Sequence, residues 1–314
     1  MFTTQRQIAI FVAYFLVYVV WGSTYYFIGV ALQGLSPFLL GALRFTTAGI
    51  LLLSLCYFRK ENVFRKELMC RSAISGIVLL FVDMAVIMLA QQYVSSSLVA
   101  IVASSTAIWI MLLDIPMWRT NFRSITAIGG ILSGFIGVGM LYLEQLNTET
   151  GLPHSEYGIL LLIGGCISWA IGTLYTKYRS CGSEETNGFA GSAWQMFSAS
   201  LLFWICALLS GEPHEVDWSK IPAKSWLALI YLITFGSILA YSAYIWLLKV
   251  RPATEVATHA YVNPVVAVII GAGIGGEQVT FIQVIGLIVI LLSVMLVNLR
   301  NIKDSHSPLS AKKE

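Results

Sequence analysis

Apolar runs of 18 or more residues recur along almost the whole of this 314-residue chain, and each is long enough as a helix to cross about 30 Å of hydrocarbon at 1.5 Å per residue. Ten such runs are read, over 8–30, 37–58, 72–92, 95–117, 124–143, 157–178, 188–210, 225–248, 253–274 and 279–299. Backbone in lipid must satisfy its own hydrogen bonds, so the runs predict an all-α membrane protein. Composition agrees: 57% of residues are hydrophobic, 11% are charged and the mean hydropathy is +0.79, where soluble domains are about a quarter charged. The first run follows "MFTTQRQ" and is too long for a signal-peptide core, which predicts that it is retained. Little chain remains for a soluble domain.

Charge placement predicts orientation. Of 19 lysines and arginines, all but Arg44, Lys220 and Lys224 fall in segments that lie on one side if the N-terminus is cytoplasmic. By the positive-inside rule both termini are then cytoplasmic, and residues 300–314 form a cytoplasmic tail. The net charge of +3 reflects this sorting and gives no reason to expect nucleic acid. Cys56, Cys70, Cys166, Cys181 and Cys206 include no Cys-x-x-Cys pair, so neither a disulfide framework nor a metal site is expected.

The chain resembles itself across the loop "EQLNTETGLPHSE" at 144–156. "VVWGST" ending at Thr24 matches "ISWAIGT" ending at Thr173, "ALRFTTAGILL" at 42–52 matches "AWQMFSASLLF" at 193–203, and Gly129 matches Gly286. The repeats are 8–143 and 157–299. With five spans in each, an odd number, the second repeat enters the membrane from the opposite face. Inverted repeats of this kind suit a carrier that rocks about a central site.

The stretches "WGSTYYFIGVALQGLSPFLLGALRF" at 21–45 and "HAYVNPVVAVIIGAGIGGE" at 259–277 resemble the EamA family of the drug/metabolite transporter superfamily. The resemblance implies ten helices in two five-helix repeats, a bacterial inner membrane, and movement of small metabolites such as amino acids, often outward.

Ionisable groups inside a bilayer cost at least a few kcal/mol each unless paired or hydrated, so they point toward function. Arg44 lies about 10 Å and Asp83 about 13 Å below the outer ends of their helices. Either Arg44 is structural, paired with Asp83 or satisfied by helix carbonyls, or it faces the central cavity and receives a substrate carboxylate through its fork of donors. Gln195 is the neutral counterpart of Arg44 in the second repeat. Glu255 starts the ninth helix after Pro252, and His259 is one turn deeper on the same face; with Asp83 they are the candidates for a coupling proton. Pro264 removes the bond that the Ala260 carbonyl would accept, a kink beside Asn263 that either packs passively or lines the path. Tyr14, Tyr18, Trp21 and Tyr25 follow at helical spacing, with Trp169 as the repeat counterpart of Trp21. The expected substrate residues are Arg44, Trp21, Trp169, Tyr25, Gln195 and Asn263.

No G-x-x-x-x-G-K-[ST] loop is present, so no ATP-driven pump is expected. Neither His-Glu-x-x-His nor Gly-x-Ser-x-Gly occurs, so no membrane enzyme and no cofactor is expected. The reading is a secondary exporter of amino acids or related metabolites. Its alternatives are an exporter of cationic drugs or quaternary amines, or a channel-like facilitator.

Overall fold

The computed structural model describes residues 2–118, 125–147, 155–180, 188–251, 256 and 259–305, all of which that enter regular structure do so as helix. In chain order the long helices are α1 (Arg6–Ala31), α2 (Pro37–Phe58), α3 (Lys66–Ala90), α4 (Ser96–Leu113), α5 (Ile125–Asn147), α6 (Glu156–Tyr178), α7 (Gly188–Leu209), α8 (Ala223–Val250), α9 (His259–Gly273) and α10 (Phe281–Ser305). Seven helices among the described residues are long and apolar enough to cross a membrane; α5, α9 and α10 hold shorter apolar stretches, Ile128–Leu141, Val262–Gly273 and Phe281–Ser293. Large apolar side chains such as Phe11, Phe58, Leu132, Leu208 and Ile269 point outward, as expected of a surface that faces lipid rather than water.

Local chemistry fixes the helix ends. Pro37 opens α2 at the first helical position, after the extended Ser36. The free N–H groups at the start of α2 are met from far along the chain, where Glu212, on a single helical turn after α7, accepts from Leu39 N at 2.7 Å. The start of α4 is met in the same way by Glu277, which accepts from Ser97 N at 3.1 Å, from Ser97 Oγ at 2.6 Å and from Ser96 Oγ. A carboxylate at a helix N-terminus satisfies orphan donors and the helix dipole together.

Packing follows small residues. A Cβ at Gly76 of α3 would lie 2.6 Å from Gln195 Cα of α7, and one at Gly22 of α1 would lie 3.1 Å from Asn263 Cα of α9. The small-residue stripe of α5 packs on α10, where Ser293 Oγ donates to Gly130 O at 2.6 Å and a Cβ at Gly137 would meet Ile290. Such close backbone approach holds membrane helices together where no hydrophobic drive separates helix from lipid. In addition, α2 lies along α7, α1 packs on α8 and α9, α6 packs on α3 and α4, and α8 also meets α2.

Among the described residues, π-helical turns interrupt α1 at Leu16–Val20, α3 at Ile77–Val82 and α8 at Leu232–Tyr241, and another, Thr176–Ser180, forms the end of α6. A π-turn leaves carbonyls short of their regular partner and often marks a functional position. In α1 those carbonyls are used. Asn263 of α9, with its amide oriented donor to acceptor, gives its NH₂ to Tyr18 O at 2.9 Å, Val17 O at 3.0 Å and His259 O at 3.3 Å.

Candidate functional site

Two chambers stack along the same helices. The deeper one is lined from α1 by Trp21, Thr24 and Tyr25, from α3 by Asp83, from α4 by Ser104 and Thr106, from α6 by Trp169 and from α9 by His259, Asn263 and Pro264. A wider vestibule lies further along α1, α3 and α4 and past the end of α9, and is lined by Tyr26, Gln33, Gln91, Lys224, Tyr231 and Glu277 among others. Gln91 joins α3 to α1 between the two levels, where its Nε2 donates to Tyr25 O at 2.9 Å.

The inner wall is aromatic. Trp21 meets Trp169 with ring centres 5.4 Å apart, Tyr244 at 5.1 Å and His259 at 5.6 Å, and Tyr244 lies 5.7 Å from His259. Tyr241 adds an edge contact to Trp21 at 6.3 Å, and its hydroxyl donates to Gln195 Oε1 at 2.7 Å.

Asp83 is 6% exposed and lines the cavity. Among the described residues its carboxylate makes no hydrogen bond and no ion pair. Gly165 of α6 leaves it room, since a Cβ there would sit 3.3 Å from Asp83 Oδ1. His259 Nδ1 is likewise buried without a partner among the described residues.

Trp21, Tyr25, Asp83, Trp169, His259, Asn263 and Pro264 are therefore brought together by the fold. Arg44 and Gln195 are not among the lining residues. Arg44, 2% exposed, turns toward α8: its Nε donates to Ser237 Oγ at 2.8 Å, its guanidinium lies 4.9 Å from the Phe45 ring centre, and the missing side chain of Gly236 leaves it space. No ion pair joins Arg44 to Asp83. Equal depth made that pair geometrically possible, but the two residues leave their helices in different directions, toward α8 and toward the cavity. Gln195 of α7 makes a similar contact, where its Nε2 donates to Ser75 Oγ at 2.7 Å, beside Gly76 of α3. Glu255 lies outside the described residues.

Three contributors could not be found from sequence spacing. Tyr241 and Tyr244 back the aromatic wall from a π-turn and the turn beyond it, and buried Asp114, after α4, bonds Lys177 Nζ at 3.1 Å and Tyr178 Oη at 2.5 Å at the end of α6. Nothing local in the sequence marks these long-range partners.

A many-helix membrane bundle with a largely aromatic and apolar cavity between its helices and a wider vestibule beside it has the form of a membrane transporter. The chain belongs to the EamA-like transporter family, whose pattern it matches twice, over residues 7–143 and 156–299. It is 32% identical over 300 residues to the uncharacterized inner membrane transporter YedA of Escherichia coli K12, covering 94% of this chain and 92% of that one. It is 25% identical over 279 residues to a probable amino-acid metabolite efflux pump of Salmonella typhimurium, covering 88% and 90%. A solved crystal structure shares the fold with a TM-score of 0.66 at 18% identity, covering 94% of this chain and 98% of the other. The protein is a multi-pass inner-membrane transporter.

Proposed function

We propose that this transporter is a secondary carrier that exports amino acids or related small metabolites by alternating access between two inverted five-helix repeats, with both termini cytoplasmic. The observation that carries the reading is the shared cavity, to which α1, α3 and α4 of the first half and α6 and α9 of the second each contribute lining residues. A site built by both halves is exposed to either side as one half rocks on the other. The helix packing supports the repeat: exchanging α1 with α6, α2 with α7, α3 with α8, α4 with α9 and α5 with α10 turns the packed set α1–α9, α1–α8 and α2–α8 into α6–α4, α6–α3 and α7–α3, all of which occur. Long π-helical stretches also occur in both α3 and its counterpart α8. Outward transport is taken from the name of the Salmonella relative alone. Asp83, His259 and Glu255 are the proposed carriers of a coupling proton, the first two from within the cavity.

The test joins topology to turnover. An impermeant maleimide should reach native Cys70, which is exposed, only from the cytoplasmic side, and single cysteines placed in 144–156 or 211–224 only from the outside. Purified protein in liposomes should show saturable counterflow of an amino acid or amine. Reversed labelling contradicts the inverted repeat, and flux that does not saturate indicates a channel.

A further inference from the structure

We propose that the central cavity is a binding site for an organic ammonium group with Asp83 as its counter-charge, so that an amine is the part of the substrate the protein recognises and a carboxylate is not. The assignment names the substrate class for the carrier read above and rests on that reading of the cavity.

The first argument is charge. Among the described residues no lysine or arginine lines the cavity, and the ionisable lining groups are Asp83, Tyr25 and His259. Asp83 is more than nine-tenths buried and has neither ion pair nor hydrogen bond among the described residues. A buried carboxylate without a partner is costly in its charged form, and a cation delivered to it removes that cost. Arg44, the cation that could have neutralised Asp83 or held a substrate carboxylate, is committed to Ser237 on α8.

The second argument is the direction of the polar bonds. Thr24, Ser104 and Thr106 all line the cavity, and each hydroxyl donates its proton back to its own helix: to Trp21 O at 2.6 Å, to Ile101 O at 2.6 Å and to Ala103 O at 2.7 Å. With their protons used in this way, these oxygens have only lone pairs to offer a ligand. The Asn263 amide donors are likewise taken by the α1 carbonyls and His259 O. These acceptors, with the Asp83 carboxylate, match the N–H donors of a protonated amine.

The third argument is the wall itself. Trp21, Trp169 and Tyr25 line the same chamber as Asp83, and aromatic faces attract cations, by about 2 kcal/mol or more when desolvated. Indole and phenol rings also receive the apolar body of an aryl or alkyl amine.

The experiment uses the full-length purified protein in detergent and four probes that share one phenyl ring: phenethylammonium, phenylalanine, the neutral 2-phenylethanol and the anionic 3-phenylpropionate. Binding is read by tryptophan fluorescence, for which Trp21 and Trp169 serve as wall reporters, and by thermal shift. Phenethylammonium should bind at least as tightly as phenylalanine and at least about tenfold more tightly than the alcohol or the propionate. Asp83→Asn should lower phenethylammonium affinity at least about tenfold while leaving 2-phenylethanol unchanged, which also reports an intact cavity. Where Asp83→Asn cannot be purified, the probe order on the wild-type protein decides alone. The proposal is overturned by no binding of phenethylammonium, by an alcohol or propionate affinity within tenfold of it, or by a folded Asp83→Asn protein that binds the amine as before. Amine binding without counterflow in liposomes would instead retain the site and sink the carrier reading.

Discussion

Arg44 and Asp83 sit at similar depth in neighbouring helices, both almost wholly buried, and the structure gives them opposite surroundings. Arg44 turns into the helix packing, with a serine hydroxyl at 2.8 Å, an aromatic face and a glycine that leaves space, while its Nη1 has no hydrogen-bond partner among the described residues. Asp83 has an open cavity in front of it and no hydrogen-bond or ion-pair partner among the described residues. Gln195 makes the lesson general, since at the position equivalent to Arg44 it grips Ser75 beside Gly76 much as Arg44 grips Ser237 beside Gly236. One polar side chain from each half therefore ties α2 to α8 and α7 to α3, and at that position an uncharged amide suffices. A buried charge with fitted partners belongs to the scaffold, whereas one left facing a cavity is available to a ligand.

The sharpest way to break this comparison is at its glycines. A Cβ at Gly76 would lie 2.6 Å from Gln195 Cα and 2.7 Å from Ser198 Oγ, so Gly76→Leu should force α3 from α7 at a cost on the order of 3 kcal/mol or more. Monodisperse protein should be lost in size-exclusion chromatography. Gly164→Leu, with nothing near its Cβ position, should elute as the parent does.

Replacing Arg44 separates shape from charge. Arg44→Ala leaves a void and an unmatched Ser237 and should cost about 2–3 kcal/mol in a thermal melt. Arg44→Gln should cost no more than about 1 kcal/mol, since the amide can still reach a serine hydroxyl as Gln195 does. Equal losses in the two variants would show that the charge itself is required. The smallest effect is expected at Tyr241, where Tyr241→Phe removes the bond to Gln195 Oε1 and should lower stability by about 1 kcal/mol with little change in transport.

Much of this was legible in the sequence because hydrophobic length and periodicity are local properties. The family, the helical class and the membrane setting follow from the apolar runs and the two quoted stretches. Trp21, Tyr25, Asp83, Trp169, His259, Asn263 and Pro264 could be chosen because polar or aromatic residues inside an apolar run stand out, and the fold does gather them. Azimuth was not legible. Depth along a helix can be counted at 1.5 Å per residue, but the direction of a side chain around the axis shifts wherever a π-turn adds a residue, as α1 and α3 do before Trp21 and Asp83. The expected meeting of Arg44 with Asp83 failed for that kind of reason. Tyr241, Tyr244 and Asp114 escaped notice because their partners lie on helices distant in sequence.

The central claim, that the working charge of this transporter is Asp83 and not Arg44, is tested most directly by counterflow in liposomes with Arg44→Gln and Asp83→Asn measured side by side at matched protein density. Arg44→Gln should keep its initial rate within about threefold of the parent, and Asp83→Asn should fall by at least about tenfold. A silent Arg44→Gln beside an active Asp83→Asn would contradict the account.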